Sequence, residues 1–177
     1  TAWAMEGERL RLLDNIDGAR EQAMLHIDIM TVVHMTRLFA PPMVARGHGY
    51  ILQVSSIGAF QPAPLYASYA AAKAFVLNFS EAVNYELRGS GVSITTTCPG
   101  PAATEFLEVS GQRKTAFQRM VMMSSADVVR ASLRAMLRRK ATIVPGRLNA
   151  FLAWSNRLMP RRISTMVAER TMKDASD

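Results

Sequence analysis

The sequence is poor in cysteine and in long apolar runs, and each shortage excludes a class of protein. Cys98 is the only cysteine among 177 residues, so no intrachain disulfide can form, which fits a reducing compartment. No apolar run reaches the roughly 18 residues that a membrane span requires, and the N-terminus does not show the pattern of a signal peptide. The histidines His26, His34 and His48 lack metal-ligand spacing with Cys98. The sequence therefore predicts a cytoplasmic protein without a metal site.

The basic charge is concentrated toward the C-terminus. The net charge is +7, but residues 1–129 hold 10 basic and 11 acidic side chains, whereas residues 130–177 hold 11 and 3. A basic segment can contact nucleic acid, an anionic membrane surface or only water. No platform of interleaved aromatic residues and no recognised nucleic-acid motif accompanies it. We therefore expect no nucleic-acid partner, and the solvated and membrane-surface alternatives stay open.

Strands alternate with long helices along the chain. Apolar spacing predicts a helix over 19–45, which Pro41 and Pro42 should kink or end, and a helix over 67–88 that ends at Gly89. Apolar or β-branched runs predict three buried strands: YILQVS from Tyr50, GVSITTTC from Gly91 and ATIVPG from Ala141. This alternation is typical of an α/β fold with a parallel sheet.

The loops that follow the first two strands carry small and polar residues. The first begins at Ser55 and Ser56, and the second at Pro99 and Gly100. In open parallel sheets, ligands bind at the carboxyl ends of the strands. Both loops are therefore expected on the ligand side.

The stretch SYAAAKAF places Tyr69 four residues before Lys73. Four residues are just over one helical turn, so both side chains should share a face. A free phenol has a pKa of about 10, and a nearby cation favours the phenolate, so Lys73 should move the pKa of Tyr69 down toward neutrality. Ser56 offers a hydroxyl that can hold a substrate oxygen. Together these groups could protonate the alkoxide that forms when hydride adds to a carbonyl.

The segment from Tyr50 to Phe106 resembles the catalytic half of a short-chain dehydrogenase/reductase, and the resemblance extends over about residues 19–146. Ser56 lies thirteen residues before the tyrosine of Y-x-x-x-K, as in the family, and P-G-x-x-x-T matches Pro99, Gly100 and Thr104. The resemblance implies an oxidoreductase that interconverts a ketone or aldehyde and an alcohol with NADP or NAD, NADP being preferred. It makes Tyr69 the general acid/base, Ser56 the substrate-binding residue, and Lys73 both the tuner of Tyr69 and a ligand of the nicotinamide ribose. Tyr69, Lys73, Pro99, Gly100 and Thr104 are thus the implied cofactor-binding residues.

Two features depart from the family pattern. Asp28, within HIDIM, takes the position at which the family usually carries a catalytic asparagine, and its carboxylate can accept a hydrogen bond from Lys73. The family's glycine-rich T-G-x-x-x-G-x-G turn, which cradles the cofactor phosphates, has no counterpart because the ten glycines are dispersed. The expected fold is therefore a partial Rossmann-type, doubly wound parallel sheet of three strands with flanking helices, truncated at its N-terminus. The alternative to an enzyme is a catalytically inert fragment or a dimerising scaffold module without cofactor binding.

The chain divides into a partial cofactor-binding domain over 1–146 and a basic, amphipathic helical extension over 147–177. Ser124 or Ser125 can cap the helix that precedes this extension, and Pro160 should interrupt the extension itself. Its apolar and basic residues suit packing on the domain or peripheral contact with a membrane, so the cytoplasmic protein could associate with one. The resemblance further implies a small, lipid-like carbonyl or alcohol substrate and a homo-oligomer formed by the two long helices. Met120, Met122 and Met123 fall in the region that covers the substrate in the family, and they suit either an apolar substrate or plain core packing.

Overall fold

The computed structural model describes residues 18–64, 66–103 and 121–173. The helices are α1 (Gly18–Leu25), α2 (Val32–Ala45), α3 (Ala67–Glu86), α4 (Ser125–Leu137), α5 (Arg147–Ser155) and α6 (Arg161–Lys173). The strands are β1 (Gly49–Val54), β2 (Val92–Thr97), β3 (Ala102–Ala103), β4 (Met123–Ser124) and β5 (Thr142–Ile143). A π-helical segment, His26–Thr31, joins α1 to α2, and a 3-10 turn, Ile57–Phe60, follows β1.

The three predicted strands form one parallel sheet in the order β1-β2-β5. β1 and β2 pair along their whole length, from Gly49 opposite Val92 to Val54 opposite Thr97, whereas β5 pairs with β2 only through its two residues. α3 and α4 pack against β2. The expected α/β class with a partial, parallel Rossmann-type sheet is confirmed, and both site loops leave the same edge of this sheet.

The central strand β2 is buried at all six positions although it is rich in hydroxyl groups. A strand covered on both faces must satisfy its polar atoms internally. The Thr95 hydroxyl donates to the Lys140 carbonyl at 2.6 Å, and the Thr97 hydroxyl lies 2.7 Å from that of Ser132 on α4. These bonds attach β2 to α4 and to the turn that follows it, whereas the buried hydroxyls of Ser93 and Thr96, also on β2, have no hydrogen-bond partner among the described residues.

Two helices and one pair of strands differ from the predicted elements. α2 continues through Pro41 and Pro42 to Ala45, and both prolines are exposed, so water can replace the hydrogen bonds that a proline removes from a helix. α3 ends at Glu86, and Gly89 lies in the following turn with φ of +83°. The parallel pair β3–β4 was not expected.

Other helix boundaries agree with the sequence. The Ser124 hydroxyl caps α4 by accepting from the Asp127 N–H at 3.1 Å, and Pro160 lies in the break between α5 and α6.

No helix within the described part of the chain combines the length and the hydropathy needed to cross a bilayer.

Gly91, at the start of β2, tolerates no side chain. Its φ is +78°, and a Cβ atom there would lie 1.8 Å from the Gly47 carbonyl oxygen. We expect Gly91→Ala to lower the free energy of unfolding by about 3 kcal/mol or more, because backbone strain and a clash add together. Gly89→Ala is the matched control, since its φ is +83° but nothing lies within 4 Å; it should cost only about 1 kcal/mol. Equal losses for the two variants in urea denaturation would contradict this account.

Candidate active site

Two adjacent serines at the end of β1 have different roles. Ser55 is buried, pairs through its N–H with the Thr97 carbonyl at 2.8 Å, and donates its hydroxyl to the Lys73 carbonyl at 2.7 Å. It therefore fixes α3 to the strand end. Ser56 is half-buried and begins the 3-10 turn, where its Oγ accepts from the Gly58 N–H at 3.1 Å. Ser56 also contributes to the pKa of Tyr69, which hydrogen bonding to Ser56 lowers, so Ser56 is the serine on the site side.

Tyr69 and Lys73 share a face of α3, as their spacing predicts. The Lys73 ammonium lies 5.5 Å from the centre of the Tyr69 ring. The Lys73 side chain is only 2% exposed, and its Nζ donates to Asp28 Oδ1 at 3.0 Å. Burying a charge is tolerated only when an opposite charge and hydrogen bonds compensate it. Asp28 is therefore the counter-ion of the buried Lys73 side chain.

Asp28 reaches Lys73 from a π-helical segment. The segment His26–Thr31 interrupts an otherwise continuous helix, and Asp28 is its one buried residue. Single π-helical turns inside α-helices occur frequently at functional sites because they reorient a side chain. The Asp28 carboxylate side chain is 7% exposed, so the structure brings together the four candidate catalytic residues Ser56, Tyr69, Lys73 and Asp28.

The pKa of Tyr69 moves in the direction opposite to the expected one. Burial raises it above its ordinary value of 10.0, hydrogen bonding to Ser56 offsets part of this rise, and the charge of Asp28 raises it further. The expectation that Lys73 lowers this pKa is wrong for the chain by itself. The physical reason is that desolvation disfavours the phenolate and that the negative charge of Asp28 disfavours it further.

The loop after β2 lies directly beside the serine loop. The Ile57 N–H donates to the Pro99 carbonyl at 3.0 Å, which joins the two loops at the carboxyl edge of the sheet. A Cβ atom on Gly100 would lie 2.7 Å from the Asn149 side-chain amide. The third residue of this motif, Thr104, lies outside the described residues.

Sequence reasoning missed Asn149 on α5. Its side chain is 2% exposed, and its Nδ2 donates to the Val121 carbonyl at 3.1 Å and to the Pro145 carbonyl at 3.2 Å. Because the Asn149 side chain packs against Gly100, it supports the Pro-Gly loop. Its contacts are far apart in sequence, so no local pattern could have identified it.

The methionine and cysteine side chains near the site mainly contact other parts of the fold. Met122 and Met123 are half-buried, and the Met123 N–H donates to the Pro101 carbonyl at 3.2 Å; Met120 lies outside the described residues. Cys98 is fully buried, and burial raises the pKa of its thiol to about 12. Its thiol therefore stays protonated at neutral pH.

Metal ligation has no support among residues 18–64, 66–103 and 121–173. Within these ranges, no group of three or more histidine, cysteine, aspartate or glutamate side chains is arranged to hold a metal ion.

The sequence matches one family model, described as short chain dehydrogenase, over residues 8–115. It is 41% identical over 98 residues to 17-beta-hydroxysteroid dehydrogenase type 3 of Rattus norvegicus, an alignment that covers 54% of this chain and 32% of that protein. It is 39% identical over 87 residues to the very-long-chain 3-oxoacyl-CoA reductase of Anas platyrhynchos, covering 49% of this chain and 28% of that protein. The chain thus spans about a third of the length of these curated relatives.

Solved structures share the fold at low sequence identity. A 7beta-hydroxysteroid dehydrogenase superposes with a TM-score of 0.76 and 18% identity, covering 93% of this chain and 62% of that one. A short-chain dehydrogenase from Burkholderia cenocepacia J2315, in complex with NADP, superposes with a TM-score of 0.67 and 24% identity, covering 86% and 60%. These likenesses support the fold alone.

Proposed function

Since this chain belongs to the short-chain dehydrogenase family, we propose that it acts as an NAD(P)-dependent oxidoreductase that interconverts a ketone or aldehyde and an alcohol by hydride transfer. One observation carries the proposal: the buried Lys73 ammonium, paired with Asp28 at 3.0 Å, lies 5.5 Å from the centre of the Tyr69 ring, and hydrogen bonding to Ser56 acts on the pKa of the same phenol. A proton donor, a hydrogen-bond donor and a cation then converge where a substrate oxygen would bind.

The residues act in sequence on that oxygen. Ser56 donates a hydrogen bond to the carbonyl oxygen and polarises it. The bound nicotinamide cofactor supplies the hydride in reduction and accepts it in oxidation. Tyr69 gives its proton to the oxygen as negative charge develops there, and in the reverse direction its phenolate removes the proton of the alcohol. Lys73 stabilises the phenolate that remains after proton transfer.

The residues present suit a nicotinamide riboside. The Lys73 ammonium has three N–H donors, and within the described residues its one hydrogen bond is to Asp28. Two buried donors are thus left for acceptors such as ribose hydroxyls. Pro99 and Gly100, at the carboxyl end of β2, and Thr104 are the other proposed cofactor contacts. We propose NADP rather than NAD as the preferred cofactor; among the structural neighbours, one was crystallised with NADP, one from Sphingobium yanoikuyae with NADPH, and one from Brucella melitensis with NADH.

Asp28 gives a testable dependence on pH. Because the pKa of Tyr69 lies above 10.0, alcohol oxidation, which needs the phenolate, should accelerate with pH up to and beyond pH 10. Asp28→Asn removes a negative charge that raises this pKa, so the rise of the oxidation rate should move to lower pH. Asp127→Asn is the control, because Asp127 is exposed and pairs with Arg130 on α4. A profile that moves to higher pH, or does not move, would refute this role for Asp28.

The proposed substrate is a lipid-like carbonyl or alcohol. The relatives at 41% and 39% identity are named for a hydroxysteroid and for a very-long-chain 3-oxoacyl-CoA. Both names denote a ketone or alcohol carried on an apolar skeleton, a steroid in one and a long acyl chain in the other. Methionine side chains adapt to irregular apolar shapes, and Met122 and Met123 lie beside the Pro-Gly loop, so they are the proposed apolar contacts.

We also propose that residues 1–146 form a partial cofactor-binding domain, that residues 147–177 extend it, and that the protein is a homo-oligomer. Large apolar side chains on the two long helices are exposed, among them Leu38 (64%) and Phe39 (46%) on α2 and Phe75 (36%) on α3. Association of these helices between subunits would bury them.

Titration of the chain with NADPH and with NADH, followed by fluorescence, tests the proposal. Saturable binding at micromolar concentration, together with NADPH consumption in the presence of a steroid-like or 3-oxoacyl ketone, is the expected result. Absence of saturable binding would reject the enzyme proposal for this chain and favour the inert fragment or scaffold alternative.

A further inference from the structure

The C-terminal helices expose their large apolar side chains and bury their small or polar ones. α5 buries Asn149 and Ala153, and α6 buries Ser164 and Ala168. An ordinary surface helix shows the reverse arrangement. Seven apolar side chains are between 39% and 71% exposed; we call these residues, with the arginines among them, the C-terminal surface: Leu148, Phe151, Trp154, Leu158, Ile163, Met166 and Val167.

Hydrogen bonds fix this orientation. Asn149 anchors α5 to the Val121 and Pro145 carbonyls. The Ser164 hydroxyl anchors α6 to the Asn156 side chain at 3.1 Å. Turning the apolar side chains inward would break these bonds and bury the wrong face, so the apolar groups stay available to a partner. Large apolar side chains that are exposed in such number over a short segment usually mark an interaction site.

The charge of the surface identifies the kind of partner. Residues 147–170 contain one acidic side chain, Glu169, and five arginines: Arg147, Arg157, Arg161, Arg162 and Arg170. Within the described residues, none of these five arginines is paired with a carboxylate. A second copy of the chain would bring like charges together, whereas an anionic surface would neutralise them.

We propose that the C-terminal surface docks on an anionic lipid membrane. Phe151 and Trp154, whose ring centres are 6.2 Å apart, would enter the interfacial layer that tryptophan prefers. Leu158 and Met166 add aliphatic area, and the arginines contact lipid phosphates, as in amphipathic segments that lie on membranes. This interaction does not depend on the redox chemistry proposed above.

α4 provides a matched surface for comparison. It also exposes an aliphatic stripe, Val129, Leu133 and Leu137, beside basic residues. It has no aromatic residue, and its Arg130 is already paired with Asp127 at 2.7 Å. Both differences favour the C-terminal surface over α4 as the membrane contact.

Vesicle sedimentation with the full chain tests the proposal. We expect binding to vesicles that mix phosphatidylserine with phosphatidylcholine, and much weaker binding to phosphatidylcholine alone. The double variants Phe151→Ser/Trp154→Ser and Arg161→Gln/Arg162→Gln should each weaken binding by at least about tenfold. Leu133→Ser, on α4, should bind as the unmodified chain does, and added salt should weaken binding throughout.

Three results would overturn the proposal: no vesicle binding by the unmodified chain, equal binding to neutral and anionic vesicles, or equal losses for Leu133→Ser and Phe151→Ser/Trp154→Ser. Loss of self-association in the Phe151→Ser/Trp154→Ser variant without loss of vesicle binding would also overturn it, because a second copy would then cover the surface. Circular dichroism checks that each variant is folded. If the aromatic variant is not folded, the arginine variant, which alters only exposed side chains, still tests the proposal.

Discussion

Replacing Tyr69 with phenylalanine is expected to lower the rate of carbonyl reduction by about 10²- to 10⁴-fold, the usual contribution of a positioned general acid. The substitution removes one hydroxyl and keeps the ring that packs beside Lys73. Without it, the alkoxide must take its proton from water, and the Ser56 hydroxyl loses its phenolic partner. Turnover under saturating NADPH, measured by the loss of reduced nicotinamide, gives the rate.

Tyr85→Phe is the matched control for this prediction. Tyr85 lies on the same helix, is 62% exposed and stacks on Arg88, so it is remote from the site chemistry. Its variant should keep the original rate within about twofold, because surface substitutions rarely have larger effects. If Tyr69→Phe also kept its rate, Tyr69 would not be the acid.

The second large effect concerns the buried ion pair. Lys73→Met should lower the free energy of unfolding by about 3–5 kcal/mol, because it leaves the Asp28 carboxylate buried without a counter-ion. The two side chains are only 2% and 7% exposed, so water cannot readily compensate. Urea denaturation followed by circular dichroism measures the loss.

A double variant separates the loss of the pair from the loss of packing. Lys73→Met/Asp28→Leu removes both charges, and it should recover most of the stability because replacing a buried pair by apolar groups is often neutral. Lys140→Met, at an exposed position after α4, should change stability by no more than about 0.5 kcal/mol. A double variant less stable than Lys73→Met would contradict the view that the unpaired Asp28 causes the loss.

Features that depend on local spacing were predictable from the sequence. The i, i+4 relation of Tyr69 and Lys73 follows from helix geometry alone. The positions of the loops at Ser56 and Pro99 follow from the ends of two buried strands, because parallel strands present their carboxyl ends at one edge. These predictions required only the period of the apolar pattern and the residues that interrupt it.

Features that depend on distant contacts were not predictable. The spacing of a family motif pointed to Asp28, but the π-helical turn that presents it to Lys73 has no sequence signature. The raised pKa of Tyr69 is the sum of burial and two neighbouring groups, and their balance requires the folded geometry. Asn149 supports Gly100 from a helix 49 positions later in the chain, which no local pattern reveals.

The extension of α2 through Pro41 and Pro42 illustrates a third limit. Proline destabilises a helix interior on average, so the sequence favoured an end or a kink. Both prolines are exposed, where the carbonyls that lack donors can bond to water. The unfavourable helix propensity of proline is therefore outweighed by the exposure of these two residues to solvent, and exposure is a property of the tertiary structure.

In the proposed mechanism, Ser56 and Tyr69 act together on one substrate oxygen. The most direct test is a double-mutant cycle in kcat/KM for carbonyl reduction, with Ser56→Ala, Tyr69→Phe and their combination. Each single variant should lose about 10²-fold or more, and the combined variant should lose far less than the product of the two losses, as groups that act as a unit do. Independent, multiplicative effects, or single variants as active as the unmodified protein, would contradict the claim.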